Sequence, residues 1–371
     1  MSSAEKNSVP YVGCYSRAPL KRLALVPILF GLGCATARLA PPPLFPLTLV
    51  WTAPIEAPVL PPLATDAARV FVSARGAGIR ALDAGTGALV WRDPETEGRL
   101  TAVPGALYVR EANGGVWRLD PLNGQPLWRV ATGVAGDVPA VIADGRLIVA
   151  GEGLAALDPL SGRLLWTVAD APVTTLAPGH GANRLFLVGQ SATLYCRDAT
   201  SGAVLWTRAF LNPLLAAPVL DSDDRLLVGT AERSFVALDL GDGREHWRWK
   251  VGTDIDAPAI VHEDNVLFAT LENVLYALRR GNGHLAWRRG LPTRTLGGPQ
   301  LLSSAVILAT REQLLLGYDA QSGNELGKLS LAAEIAAVPV IIGDLLIAGL
   351  RDRTVVAVAM AKPPPDLPVS P

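Results

Sequence analysis

An aspartate, three residues, a glycine, three more residues and a tryptophan recur along this chain at intervals of about forty residues. The full copies are Asp83/Gly87/Trp91, Asp120/Gly124/Trp128, Asp158/Gly162/Trp166, Asp198/Gly202/Trp206 and Asp239/Gly243/Trp247. Degraded copies stand at Arg279/Gly283/Trp287 and Asp319/Gly323/Gly327. A repeat of this length is one small supersecondary unit that cannot bury its apolar face alone, so the units must stack on one another.

The residues inside the repeat set its local structure. A small polar residue precedes the glycine each time (Thr86, Asn123, Ser161, Ser201, Asp242, Asn282 and Ser322), and such pairs favour tight turns with left-handed backbone. Apolar stretches lead into the turn, among them residues 78–82, 234–238 and 273–278, and a short strand ending in tryptophan leaves it. Two more strand candidates lie upstream, as at residues 217–220 and 225–229. Four short strands per unit predict a propeller blade. The first strand carries a proline in each unit, at Pro58, Pro104, Pro139, Pro172, Pro218, Pro258, Pro299 and Pro339, which predicts a blade edge along the central axis.

Those prolines count eight blades, whereas the turn appears seven times. The missing strand lies at the other end of the chain. Trp51 stands 40 residues before Trp91 with no turn ahead of it, and the strands at 340–342, 345–348 and 354–358 end without an outer partner. The expected fold is therefore all-β: an eight-bladed propeller of four-stranded antiparallel blades, with Leu47–Pro54 closing the last blade and removing an open edge.

Trp51, Trp91, Trp128, Trp166, Trp206, Trp247 and Trp287 are expected to dock blade on blade. Each buried indole removes about 150–250 Å² from water, an upper bound of roughly 4–6 kcal/mol. Trp117 and Trp249 fall outside the phase and are freer for a surface role, and Gly327, standing where a tryptophan is due, marks the expected weak seam.

Half of the residues are hydrophobic, 18% are charged and the net charge is −1, with no basic stripe, which argues against a nucleic-acid partner. Residues 1–33 read as a signal peptide, with Lys21-Arg22 ahead of an apolar run at 23–33 too short to span a bilayer comfortably. Gly33-Cys34 resembles the lipobox of bacterial lipoproteins, which implies cleavage and lipidation at Cys34 and a membrane contact through acyl chains. An ordinary secretory leader and a soluble periplasmic protein are the alternative. Residues 34–46, rich in proline, form a tether, 47–362 the propeller and 363–371 an extended tail. Cys34 and Cys196 are too few for a disulfide framework, and Cys196 reads as a buried thiol.

The stretch from Ala81 through Asp83, Gly87 and Trp91 resembles the repeat of the pyrroloquinoline quinone (PQQ) enzyme superfamily, as do the stretches ending at Trp166 and Trp247. That superfamily holds quinoprotein dehydrogenases and non-enzymatic members, among them the lipoproteins of BamB type that help assemble outer-membrane β-barrels. The resemblance to the latter implies a non-enzymatic scaffold without cofactor on the periplasmic face of the outer membrane. Its implied partners are a β-barrel assembly subunit and nascent outer-membrane proteins. The alternative it implies is a periplasmic quinoprotein dehydrogenase or ligand-binding propeller using PQQ and calcium. The larger quinoprotein alcohol dehydrogenases carry a vicinal cysteine pair, which this chain lacks.

Other candidates are sparse. Glu56, Asp137, Asp170 and Asp256 each stand two places before a first-strand proline, a phase that would gather carboxylates at one channel mouth to bind a cation or basic peptide. His180, His246, His262 and His284 have no zinc-ligand spacing, and Gly179-His180-Gly181 reads as a loop. Segments 93–99 and 178–183 read as long loops, and Arg184, Arg208, Arg233 and Arg248 as candidate interface anchors.

Overall fold

A computed structural model describes residues 47–221 and 225–360. The segments expected to be a signal peptide and a proline tether, with Cys34, and the 363–371 segment lie outside the described residues. Strand β1 (Leu47–Pro54) comes first in the chain. Blade 1 comprises β2 (Val59–Thr65), β3 (Arg69–Ala74), β4 (Gly78–Asp83) and β5 (Leu89–Asp93). Blade 2 comprises β6 (Arg99–Val103), β7 (Ala106–Arg110), β8 (Gly115–Leu119) and β9 (Pro126–Ala131). Blade 3 follows with β10 (Val141–Ala143), β11 (Arg146–Gly151), β12 (Gly153–Leu157) and β13 (Leu164–Val168). Blade 4 holds β14 (Gly179–Gly181), β15 (Arg184–Val188), β16 (Thr193–Asp198) and β17 (Val204–Ala209). Blade 5 holds β18 (Val219–Asp221), β19 (Arg225–Thr230), β20 (Ser234–Asp239) and β21 (Glu245–Lys250). Blade 6 is β22 (Ile260–His262), β23 (Asn265–Ala269), β24 (Val274–Arg279) and β25 (Leu285–Gly290). Blade 7 is β26 (Gln300–Leu302), β27 (Ala305–Ala309), β28 (Leu314–Asp319) and β29 (Glu325–Ser330). Strands β30 (Val340–Ile342), β31 (Leu345–Gly349) and β32 (Thr354–Met360) complete the set, and β1 pairs with β32 to make the eighth antiparallel sheet.

The fold is thus an eight-bladed, all-β propeller closed by its N-terminal strand. The core is a series of apolar clusters, most of them sandwiched between consecutive blades. Middle strands such as β7, β12 and β23 are buried along their whole length, because both of their faces meet a neighbouring sheet.

First strands of neighbouring blades approach each other, as β2 does β6 and β14 does β18, so they line the axis. Most of the first-strand prolines sit at or just before these strands. Two do not: Pro104 lies after β6, in the turn to β7, and Pro172 lies well ahead of β14. Two loop readings are also corrected. Residues 93–99 form a short link, because β6 starts earlier than its counterparts, and Gly179-His180-Gly181 is the strand β14. The reason is crowding: a Cβ on Gly179 would stand 2.5 Å from the carbonyl oxygen of Pro218, and one on Gly181 2.5 Å from Leu220. Only glycine lets β14 lie this close to blade 5.

Candidate functional site

Each repeat tryptophan lies against the turn glycine of the following blade. A Cβ on Gly87 would stand 2.5 Å from the ring of Trp51, and one on Gly162 2.7 Å from that of Trp128. The same approach joins Gly124 to Trp91, Gly202 to Trp166, Gly243 to Trp206, Gly283 to Trp247 and Gly323 to Trp287. All seven glycines have φ between +68° and +75°. Glycine therefore acts twice here, allowing the left-handed turn and leaving a flat seat for the indole. The indole N–H groups of Trp51, Trp91, Trp128, Trp206 and Trp247 donate to the carbonyls of Ala84, Pro121, Leu160, Leu240 and Arg280 in the next blade, at 2.9–3.0 Å. Across the strand ladder, a small residue faces most of these rings: Ala357, Ala81, Ala156, Cys196, Ala237 and Ala277. Cys196 is buried, and burial pushes its thiol pKa up.

The aspartate builds the seat. The Oδ1 atom of Asp83 accepts from the backbone N–H of Gly85 and Thr86 and from the Thr86 hydroxyl, at 2.8–3.1 Å. Asp158 and Asp198 do the same with Ser161 and Ser201, and Asp319 with Ser322. These bonds hold the carboxyls of Asp83, Asp158 and Asp198 below the ordinary carboxylate range. Asp120 and Asp239 make the shorter version, accepting from Leu122 and Gly241.

The junction between blades 7 and 8 departs from the pattern for a topological reason. Because β32 and β1 come from opposite ends of the chain, no turn joins them, and blade 8 offers no glycine seat. Gly327 needs no indole there. Leu47, only 4% exposed, packs with Leu302, Leu346 and Val358, with Leu326 and Leu329 at the margin. A cavity of about 130 Å³ remains beside them, lined by Leu49, Leu329, Leu331, Val356 and Val358 among others.

Three of the four acids proposed for the channel mouth are held by arginines. Glu56 accepts from Arg80 at 2.9 Å, Asp256 from Arg294 at 3.0 Å, and Asp137 from Arg99, which also reaches the carbonyl of Pro61 in blade 1. Arg99 lowers the carboxyl pKa of Asp137. Asp170 is exposed and has no side-chain partner among the described residues. The acids thus tie blades together, and among the described residues no three His, Cys, Asp or Glu side chains gather as a metal site.

The sequence reading missed Arg110. It is fully buried, and its guanidinium donates to the carbonyls of Val134, Val138 and Ala150 at 2.5–2.8 Å, joining blades 2 and 3. Burial pushes its pKa down to about 10. Of the candidate anchors, Arg184 donates to Leu240 O, and Arg208 to Gly243 O and Glu245. Arg248 pairs with Glu245 at 2.7 Å, and Arg233 is an exposed turn residue. Trp117 and Trp249 are half-buried fillers, Trp117 with the Arg129 guanidinium 4.5 Å above its ring.

The perimeter is where this molecule can meet another. Among the eight outer strands, β1 and β13 carry no charged side chain, whereas β21, β25 and β29 are studded with Glu245, Arg248, Lys250, Arg288, Arg289, Glu325 and Lys328. Beside β13, Leu160 is 70% exposed, and Leu122, Leu127 and Leu164 are exposed as well. Leu211, between β17 and β18, is 88% exposed, the highest value for a large apolar side chain among the described residues. Charge on an edge strand blocks strand addition and its absence permits it.

Repeat, topology and docking seats define an eight-bladed propeller of the PQQ-like class. Residues 48–169, 150–267 and 236–362 match the family described as outer membrane protein assembly factor BamB, and the chain belongs to that family. No curated protein matches the sequence significantly. Among solved structures, BamB from Moraxella catarrhalis is similar at 18% identity and a TM-score of 0.69, covering 86% of this chain and 99% of that one. The computationally designed protein Ika8 is similar at 15% identity and a TM-score of 0.72, covering 83% of this chain and 99% of the design. The quinohemoprotein alcohol dehydrogenase of Comamonas testosteroni follows at 14% and 0.64, covering 86% of this chain and 77% of the enzyme. At these identities the likeness is one of fold.

Proposed function

We propose that this protein is a non-enzymatic scaffold of outer-membrane β-barrel assembly, anchored through a lipidated Cys34 on the periplasmic face of the outer membrane. Family membership supports the reading, and the uncharged outer edge at β13 is the observation that carries it. An extended segment of a barrel protein or of an assembly subunit adds to such an edge through backbone hydrogen bonds, while Leu160 and Leu164 offer apolar contact. Leu211 supplies a second contact on blade 4's exit segment.

No bound cofactor is part of this proposal. The quinoprotein reading draws on the shared fold of the alcohol dehydrogenases. A calcium ion needs several convergent oxygen ligands. The residues present do not fit it, since three of the four mouth acids are engaged by arginines and no three His, Cys, Asp or Glu side chains gather among the described residues. The test is site-specific photo-crosslinking in a diderm bacterium from Leu164 on β13 and, as control, from Arg288 on β25. Adducts with a barrel-assembly subunit or nascent barrel protein from Leu164 alone are expected; equal adducts from both, or none from either, refute the edge.

A further inference from the structure

Beneath the junction of blades 4 and 5 lies an open cavity of about 610 Å³, walled by Arg184 and Arg225, by the turn at Leu240-Gly241, and by Asp239 and His246. The two arginines differ from those of the molecule that carry a carboxylate partner. Arg69 pairs with Asp66 at 2.9 Å, Arg280 with Asp221 at 3.1 Å, and Arg99 with Asp137. Arg184 and Arg225 have no carboxylate partner among the described residues. Each uses Nη1 alone, Arg184 toward Leu240 O at 2.8 Å and Arg225 toward Arg280 O at 3.1 Å. Those bonds fix both side chains to the following blade and leave Nε and Nη2 of each fork without an acceptor. Asp239, the one acid in the wall among the described residues, accepts at Oδ1 from the N–H of Gly241 at 2.7 Å.

We propose that this cavity is a binding site for a phosphate group. Two half-buried arginines from neighbouring blades, each with guanidinium nitrogens left without an acceptor, line one space. A planar carboxylate satisfies one fork, whereas a tetrahedral phosphate has oxygens for both. Among the described residues their positive charge is offset by backbone carbonyls and a turn-bound aspartate, so an anion gains more here than at the paired arginines elsewhere. The phosphate comes from free inorganic phosphate or from a phospholipid headgroup, and the two sources differ in charge and substitution.

The test is isothermal titration calorimetry on the full chain, with inorganic phosphate in one arm and glycerophosphoglycerol, the deacylated headgroup of phosphatidylglycerol, in the other. Arg225→Gln and Arg184→Gln are compared with Arg146→Gln, in which the lost side chain caps the carbonyl of its own turn residue Asp144 and faces the Asp198 carboxylate of the next blade. The expected result is saturable binding of at least one probe, weakened about tenfold or more in R225Q and R184Q and unchanged in R146Q. Binding of phosphate assigns the free ion, and binding of glycerophosphoglycerol alone assigns the headgroup. Because Arg184 also holds the Leu240 carbonyl, R184Q may be compared only if its unfolding midpoint matches wild type; R225Q decides otherwise. Absence of binding to both probes, or equal binding by wild type and R225Q, overturns the proposal.

Discussion

Replacing Gly124 by alanine isolates the contact on which the ring depends. Gly124 has φ +75°, and its added Cβ would stand 2.7 Å from Cε3 of Trp91 in the preceding blade. The left-handed backbone costs an alanine about 1–2 kcal/mol. Forcing the methyl into the indole adds roughly 1–3 kcal/mol of overpacking. The sum is about 2–5 kcal/mol of lost stability. Gly145 is the internal control, with φ +74° and nothing within 4 Å of its Cβ position, so its alanine variant bears the backbone cost alone. Denaturant midpoints at constant m-value read both. The decisive arm is the double variant. In a Trp91→Ala background, itself costing about 3–5 kcal/mol, Gly124→Ala should lose its steric part and fall to the Gly145→Ala value. If Gly124→Ala and Gly145→Ala cost the same in the wild type, or if removing Trp91 leaves the Gly124→Ala penalty intact, the indole does not sit on the turn.

Four further outcomes are expected. The carboxyls of Asp83, Asp158 and Asp198 are held below the ordinary range in the folded state. Their contribution is present above the unfolded value and disappears as pH falls through the folded one, so thermal unfolding scans should show stability dropping below about pH 4. Asp83→Asn plus Asp198→Asn should flatten that drop. Arg110→Met leaves three buried carbonyls without a donor, at about 1–3 kcal/mol each, and should lower the denaturant midpoint more than any exposed arginine change. Gly327→Trp meets no turn seat in blade 8 and should destabilise by about 1–3 kcal/mol through overpacking, measured the same way. A chain starting after Pro54 bares the β32 edge and should oligomerise on size-exclusion chromatography, where the full propeller does not.

The architecture was readable because the repeat couples residues close in sequence: a turn glycine and a strand tryptophan four residues apart in most copies define a hairpin by themselves. Closure by Leu47–Pro54 was readable too, since Trp51 keeps the phase. What Trp91 rests on was less visible. Its seat, Gly124, is in another blade, and only the stacking of sheets shows that glycine and tryptophan of neighbouring units are partners. Arg110 escaped notice because its ligands are backbone carbonyls, which leave no mark in side-chain identity. The acids at 56, 137 and 256 shared a phase, but their arginine partners at 80, 99 and 294 follow no common spacing. The early start of β6 and the strand made by Gly179-His180-Gly181 follow from contacts at the axis, where neighbouring first strands crowd each other.

Affinity purification of the full chain from the membranes of a diderm bacterium, with mass spectrometry of its N-terminus and of what accompanies it, tests the scaffold reading most directly. The reading predicts a tri-acylated Cys34 at the N-terminus and a β-barrel assembly subunit in the eluate. A free, unlipidated N-terminus recovered in the soluble fraction without that subunit would contradict it.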